Sequence, residues 1–152
     1  MTTLREHPNA VLVRERFAAL NAGDVAPFYD AVREDFHNVN DIGAGPWHEN
    51  HGRDAFFGFF ADFAGLFDDE PFGQEVLDVL GWDDRVLTIV RETGVAQGQR
   101  FDNRALYVLG VDPDGRYTSL YTTDMDQETI RRFWAGVALP ASAPAWDGAA
   151  VV

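Results

Sequence analysis

The stretch that decides the fold is FDNRALYVLGVDPDGRYTSLYTTDMDQETIRRFW, residues Phe101–Trp134. Two apolar-rich runs, Asn103–Val111 and Arg116–Thr123, flank the polar loop Asp112–Gly115. Pro, Asp and Gly in that order are typical of a tight turn, because Pro fixes φ and Gly accepts a positive φ at the end of the turn. The two runs are therefore predicted to pair as a long antiparallel hairpin.

The end of this stretch predicts a helix and leaves one carboxylate without a role. Asp126 can accept hydrogen bonds from the free N–H groups of a helix over Gln127–Ala135, so it is interpreted as the cap. Asp124 then stands at the very end of the second strand and needs its own explanation. We interpret it as part of a small-molecule pocket.

Composition predicts one globular domain and excludes several classes of partner. The chain has 152 residues, 46% of them hydrophobic, with 12 Lys plus Arg against 25 Asp plus Glu, a net charge of −13. This negative balance disfavours nucleic acid and anionic lipid as partners. Cysteine is absent, and neither a secretory signal nor an apolar run of membrane-spanning length is recognisable. We expect a soluble cytoplasmic protein, with one domain over residues 1–136 and a loose tail over residues 137–152 in which Trp146 could dock on the body.

The remaining chain predicts an α+β order of elements. Helices are expected over residues 8–22, 24–33 and 53–67, a short strand over residues 36–40, a loop over residues 41–51, and further strands over residues 72–80 and 85–96, with a hairpin turn at residues 97–99. Three N-terminal helices and a short C-terminal helix would then cover one side of a curved antiparallel sheet.

This order resembles the NTF2-like superfamily, whose fold is a cone-shaped α+β barrel. Four segments carry the resemblance, which covers roughly residues 8–136: Phe101-Asp102-Asn103-Arg104, Asp114-Gly115-Arg116, Tyr121-Thr122-Thr123-Asp124, and the helix entry His51-Gly52-Arg53-Asp54-Ala55. The chain is most similar to the SnoaL-like polyketide cyclases and to the limonene-epoxide-hydrolase-like members.

The resemblance implies a hydrophobic pocket in the cone, with a carboxylate near the end of the last strand as general acid/base. Asp124 falls at that position. The epoxide hydrolases use an Asp–Arg–Asp arrangement, but here Thr93 stands two residues after Arg91 and Phe36 stands at their Tyr position. Ketosteroid isomerases need an Asp base after the second helix, where this chain has His37 and Asn38. That isomerase chemistry is therefore not carried over. An epoxide hydrolase is a third possibility and requires a second carboxylate near Arg91; Glu92 is adjacent in sequence, but strand alternation points it to the other face.

Strand alternation predicts which side chains share the pocket face. Three inward sets are expected: Asp124 with Thr122, Leu120 and Thr118; Arg91 with Ile89, Thr93 and Val95; Asn103 with Ala105, Tyr107 and Leu109. Glu92 would point to the opposite face. Arg91 beside Asp124 would lower the pKa of Asp124 and keep it ionised. The structural alternative is a buried Asp124–Arg91 ion pair that only fixes the sheet edge.

The candidate site combines these residues with polar and aromatic groups from the N-terminal half. Asp124, Arg91 and His37 are the candidate catalytic residues. The candidate substrate-binding residues are Phe17, Tyr29, Asn38, Trp47, His48, Phe60, Asn103, Tyr107 and Thr122. Trp47 is interpreted either as a lid or as a side chain that packs its loop onto the core. Residues 48–51 form a close His/Glu cluster, but no metal-ligand spacing on a single element is recognised, so neither a metal nor a cofactor is expected.

Two functions stay open from the sequence. The first is a cofactor-independent acid/base enzyme, a SnoaL-like cyclase or isomerase acting on a hydrophobic carbonyl-bearing small molecule, with a His or Arg within reach of Asp124. The second is a non-catalytic small-molecule-binding or dimeric assembly protein of the same fold. Val90, Val108 and Tyr121 are expected on the outer sheet face, through which the resemblance implies a homodimer.

Overall fold

The computed structural model describes residues 6–146 and confirms the α+β class. In chain order the helices and strands are α1 Pro8–Asn21, α2 Ala26–Ala31, β1 Val32–Asn40, a 3-10 segment Ile42–Trp47, β2 Glu49–His51, α3 Arg53–Ala64, β3 Glu70–Gly81, β4 Arg85–Ala96, β5 Gln99–Val111, β6 Tyr117–Asp124 and α4 Gln127–Ala135. The three N-terminal helices and the short C-terminal helix are confirmed. None of the helices in the described range has the length and apolar character needed to cross a membrane.

The six strands form one curved, open sheet in the order β2-β1-β6-β5-β4-β3. All neighbouring pairs are antiparallel except β1 and β6, which are parallel. The predicted curved, antiparallel sheet is confirmed, with this one parallel pair as the exception. The predicted loop over residues 41–51 also differs, because it contains the 3-10 segment and β2.

Local turn and cap chemistry explains the C-terminal half. Gly115 has φ +80° and its N–H donates to the carbonyl of Asp112 at 2.9 Å, which closes the predicted β5–β6 turn. Asp126 caps α4 by accepting from the N–H of Thr129 at 3.1 Å. The β4–β5 turn contains two residues, Gln97 at φ +52° and Gly98 at φ +75°. Two positive φ values are typical of a type I′ turn, which suits a two-residue hairpin.

The inner face of the sheet packs against the helices through an aromatic core. Phe56, Phe59 and Phe63 of α3 are buried, and Phe63 contacts Phe101 of β5 with ring centroids 6.1 Å apart. A register shift lies between Gly110 and Val111. It turns Tyr117 into the core and leaves Thr118 only partly buried, so the prediction that Thr118 shares the Asp124 face is wrong. Apart from buried polar side chains such as Asn103 and Asp124, the inner face of the sheet is apolar and is covered by aromatic rings.

The segment after α4 contacts the domain as far as Trp146. Val137 is buried, and Ala138 exchanges two hydrogen bonds with the side chain of Gln97, at 2.8 and 3.0 Å. The ring of Trp146 packs on Trp134 with centroids 5.7 Å apart, as the docking alternative predicts. Residues 147–152 of the expected tail lie outside the described residues.

Candidate functional site

Asp124 lies at the inner end of β6, with only 5% of its surface exposed. Its Oδ2 accepts from the backbone N–H of Gly43 in the 3-10 segment at 2.7 Å. Its Oδ1 accepts from the amide Nδ2 of Asn103 on β5, also at 2.7 Å. Burial raises the pKa of Asp124, and these two hydrogen bonds oppose that rise. Asp124 is thus a buried carboxyl group held by neutral donors.

Glu92 of β4 lies beside Asp124 as a second buried carboxyl group, 8% exposed. Its Oε1 accepts from the same Asn103 Nδ2 at 2.9 Å, and its Oε2 accepts from the hydroxyl of Tyr107. The Tyr107 oxygen in turn accepts from Gln74 Nε2 of β3 at 2.8 Å. Burial above all, together with the neighbouring Asp124, raises the pKa of Glu92 to about 7, while the hydrogen bonds from Tyr107 and Asn103 oppose the rise.

Of the two carboxyl groups joined through the Asn103 amide, Glu92 can carry a proton at neutral pH. Each hydrogen of the Asn103 amide nitrogen points to a different carboxylate, so Asn103 fixes both groups. A pKa of about 7 keeps both forms of Glu92 populated near neutrality, which suits a general acid or base. Pairs of carboxyl groups with separated pKa values are a recurring arrangement for acid/base catalysis.

The network borders two small cavities that share several lining residues. The first, about 40 Å³, is lined by the two carboxyl groups together with polar side chains and rings: Asn40, Gly43, Ala44, Phe56, Phe59, Phe60, Phe63, Phe72, Gln74, Glu92, Tyr107, Leu120, Thr122 and Asp124. The second, about 30 Å³, lies on the Phe17 side of Tyr107.

A wider open cleft, about 670 Å³, lies between α1 and β3. Phe60, Phe72 and Gln74 line both this cleft and the first cavity. Two phenylalanine rings therefore separate the carboxyl groups from a space of ligand size.

Arg91 does not contribute to this site, so the expectation that it lies beside Asp124 is wrong. Its side chain is 45% exposed on the outer face and pairs with Asp102 at 2.9 Å. The register explains this, because Glu92 pairs with Asn103 and both turn inward while Arg91 turns outward. For the same reason Val90 is buried inside rather than on the outer face. The pKa of Asp124 is accordingly raised, not lowered.

Three further candidates lie away from the cavities. His37 alternates with the buried Phe36 and Asn38 on β1, so it faces outward, where it contacts Glu49 at 2.9 Å. His48 is exposed. Tyr29 donates its hydroxyl to Asp54 at 2.7 Å at the surface. No His or Arg therefore lies within hydrogen-bond reach of Asp124 among the described residues, contrary to the expectation for an enzyme.

The other predicted residues lie in or next to the site. Phe17, Phe60, Tyr107 and Thr122 line one or both cavities, and Asn103 bridges the carboxyl groups. Asn38 is fully buried, and its side-chain Oδ1 accepts from the side-chain Nδ2 of Asn40 at 3.3 Å. Trp47 is buried against Phe63 and Trp134, as the packing interpretation predicts.

Sequence reasoning missed Glu92, Gln74 and Gly43. Glu92 was expected on the opposite face. The two-residue length of the turn at Gln97 and Gly98 sets the register that turns Glu92 inward, and this length could have been inferred from the sequence. Gly43 lies in the 3-10 segment, where the sequence shows no helix or strand pattern from which its position could be predicted. A Cβ built on Gly43 would stand 2.5 Å from Asp124 Oδ1, so a larger residue at this position would have to displace the carboxylate.

A possible metal-ligand group was also missed, on the outer face. Glu49 and His51 stand two residues apart on β2 and lie with His37 so that one ligand atom from each is within 4.8 Å of the others. The expectation that no element carries a metal-ligand spacing is therefore wrong, because residues 49–51 form a strand instead of a loop and the two side chains share a face.

Comparisons with known proteins agree with this fold. Residues 13–120 match the family model of the SnoaL-like domain. No curated protein sequence matches the chain. Among solved structures, Bal32a from a soil-derived mobile gene cassette is 28% identical, with TM-score 0.74, over 83% of this chain and 95% of Bal32a.

Two further similar structures are less identical in sequence and show the fold alone. IdmH from Streptomyces antibioticus, described as a candidate polyketide cyclase, is 20% identical with TM-score 0.65, over 85% of this chain and 99% of IdmH. TerC, co-crystallised with polyporic acid, is 14% identical with TM-score 0.69, over 84% of this chain and 98% of TerC.

Proposed function

The chain belongs to the SnoaL-like domain family, and we propose that it is a cofactor-independent acid/base enzyme of the cyclase or isomerase type, acting on a hydrophobic carbonyl-bearing small molecule. One observation carries this proposal: Glu92 and Asp124 are buried together, joined through Asn103, at a cavity walled by phenylalanine rings. Buried carboxyl groups with raised pKa values in a cavity are characteristic of functional sites.

The two carboxyl groups take different parts in the proposed reaction. Asp124 is the base: it removes a proton from the carbon next to the carbonyl, and the C–H electron pair becomes the enolate. Glu92, with a pKa of about 7, holds the proton that neutralises the enolate oxygen. Tyr107 contacts Glu92 and lines the cavity, so protonated Glu92 would give its proton to the Tyr107 oxygen while the Tyr107 hydroxyl gives its own proton to the enolate oxygen.

The second half of the reaction decides the product. As the enol reverts to the carbonyl, its O–H proton returns through Tyr107 to Glu92. Delivery of the proton held by Asp124 to a different carbon gives an isomer. Alternatively, attack of the enol carbon on a second carbonyl of the same molecule forms a C–C bond and closes a ring, and the new alkoxide takes the proton held by Asp124. Neither outcome needs a reactant other than the substrate, and a positioned carboxyl group accelerates each proton transfer by about 100-fold or more.

Substrate access in this proposal requires the aromatic wall to open. A cavity of about 40 Å³ holds little more than a water molecule, whose share of liquid volume is about 30 Å³. The open cleft of about 670 Å³ lies within the range of about 300–1,000 Å³ typical of ligand sites. We infer that the substrate enters between α1 and β3 and that Phe60 and Phe72 rotate to admit its reactive end.

The alternative, a non-catalytic binding protein, is favoured by the same small cavity. Both oxygens of each carboxyl group accept a hydrogen bond from within the chain, as a purely structural network also would. On this alternative the cleft between α1 and β3 binds a hydrophobic molecule, and the carboxyl groups only hold the strands of the sheet together.

A ligand screen with matched variants tests the proposal. Polyporic acid and other hydrophobic carbonyl compounds would be screened by thermal shift, and each compound that binds would then be assayed for conversion. Asp124→Asn, Glu92→Gln and Tyr107→Phe should bind but convert at least about 100-fold more slowly. Asp102→Asn, on the outer face of the neighbouring strand, is the control and should convert normally. Binding without conversion by the wild type would favour the alternative.

We also propose that the protein is a homodimer through the outer sheet face. An apolar row crosses five strands there, because Leu80, Leu87, Val108, Tyr121 and Val39 are successive partners in register. Leu80 and Tyr121 are 59% and 47% exposed. Analytical ultracentrifugation should find a dimer for the wild type and a monomer for Tyr121→Glu. Met125→Glu, which alters an exposed residue outside the row, is the control, and a monomeric wild type at micromolar concentration contradicts the proposal.

A further inference from the structure

A group of three metal-ligating side chains lies on the outer face of the sheet, where β2 pairs with β1. His37 and His51 are direct partners in this antiparallel pair. Glu49 stands two residues from His51 on β2, so strand alternation brings it to the same face. His37, Glu49 and His51, here called the outer-face triad, are thereby brought together by two strands rather than by a flexible loop.

The triad already has the approximate spacing of a metal site. Nε2 of His37 and Nε2 of His51 lie 2.9 and 3.1 Å from the same oxygen, Glu49 Oε1. The two imidazole rings are parallel, with centroids 4.4 Å apart and an interplanar angle of 11°. With bonds of about 2.1 Å, ligands on a tetrahedral zinc ion lie roughly 3.4 Å apart. The two imidazole-to-carboxylate distances are within a few tenths of an ångström of this spacing, and all three ligand atoms lie within 4.8 Å of one another.

The donor set indicates which kind of ion fits. We propose that the outer-face triad binds a divalent transition-metal ion, Zn²⁺ in particular, through two imidazole nitrogens and one carboxylate oxygen. This combination suits Zn²⁺ and its neighbours Ni²⁺ and Cu²⁺, whereas Mg²⁺ and Ca²⁺ prefer oxygen ligands alone. The net charge of −13 favours any cation at the surface. His51 is 74% exposed, so solvent completes the coordination.

The ion would act on the fold and not on the proposed reaction. The triad lies on the outer face, whereas Glu92 and Asp124 lie on the inner face. A bound ion would fasten the three-residue strand β2 to β1. Between these strands runs the 3-10 segment whose Gly43 N–H binds Asp124. Zn²⁺ therefore stabilises the segment that closes the candidate site without taking part in proton transfer.

Calorimetric titration of the tag-free protein with Zn²⁺ tests this inference. The wild type should bind one ion per chain and gain thermal stability. His37→Ala, His51→Ala and Glu49→Gln should each weaken the affinity by at least about tenfold. His48→Ala removes a neighbouring exposed histidine outside the triad and should bind like the wild type. His51 and Glu49 lie at an exposed edge, so these two variants should fold even if His37→Ala does not.

Cobalt substitution gives an independent readout of the ligands. Co²⁺ bound by the triad should show visible absorption bands that disappear in Glu49→Gln and His51→Ala and persist in His48→Ala. The absence of Zn²⁺ binding by the wild type, or binding that all three triad variants retain at full affinity, would overturn the inference. Neither result bears on conversion of a carbonyl substrate, so this inference and the proposed function can fail separately.

Discussion

Replacing Glu92 with Gln should change how the stability of the protein depends on pH. The ordinary pKa of 4.5 applies to the unfolded chain, while burial raises the folded pKa to about 7. The folded state therefore binds the Glu92 proton more tightly. The stability this gives is fully present below about pH 4.5 and is lost as the pH rises through about 7. At about 1.4 kcal/mol per pKa unit, the loss amounts to about 3 kcal/mol.

The neutral amide of Glu92→Gln removes this loss at a small cost. One of the two acceptor oxygens becomes an NH₂ group, so the contact with Tyr107 or with Asn103 is weakened, which costs about 1 kcal/mol. The variant should therefore be slightly less stable than the wild type near pH 5. It should be more stable by about 2 kcal/mol well above pH 7. Raised stability from removal of a buried charge would show that Glu92 is retained for a reason other than folding.

Urea denaturation across about pH 5 to pH 9 measures the effect. The difference in unfolding free energy between the two proteins should change sign within this range. Glu75→Gln, an exposed glutamate on β3, is the matched control and should follow the wild type within about 0.5 kcal/mol. Parallel curves for Glu92→Gln and the wild type would refute a raised pKa at Glu92, and with it the proton-donating role.

Three further substitutions have defined outcomes. Gly43→Ala places a Cβ 2.5 Å from Asp124 Oδ1, so it should displace the carboxylate, lower the free energy of unfolding by about 1–3 kcal/mol in urea and reduce conversion. Arg91→Ala breaks an exposed ion pair with Asp102 and should lower the free energy of unfolding by less than about 1 kcal/mol. A large loss of conversion in this variant would show that Arg91 acts in the site. Phe60→Ala opens the wall between cleft and cavity, so stopped-flow measurements should find faster ligand association, with at most about 3 kcal/mol of stability lost.

Features determined by neighbouring residues were predicted correctly from the sequence. The Asp112–Gly115 turn, the Asp126 cap and the inward set of Asn103 on β5 each depend on residues close in the chain. The parallel pairing of β1 with β6 joins segments about eighty residues apart, and nothing local specifies it. Nothing local specifies the hydrogen bond from the Gly43 N–H to Asp124 either, because it depends on where β1 positions the 3-10 segment.

The face of Glu92 was predictable in principle, and the length of one turn decides it. Val86, Thr88 and Val90 alternate with Leu87 and Ile89 on β4, so both faces of this strand read as apolar and the pattern alone cannot choose between them. A three-residue turn at residues 97–99 would pair Asn103 with Thr93, and Arg91 would then share the inner face.

The two-residue turn instead pairs Ala96 with Gln99 and therefore Glu92 with Asn103. A register shift of one residue exchanges the two faces of a strand. The side chain that faces Asp124 is therefore Glu92 instead of Arg91. Glycine at position 98, which accepts positive φ, favours the two-residue type I′ form. The acid/base chemistry proposed here thus depends on the conformation of two residues, Gln97 and Gly98, far along the hairpin from the cavity.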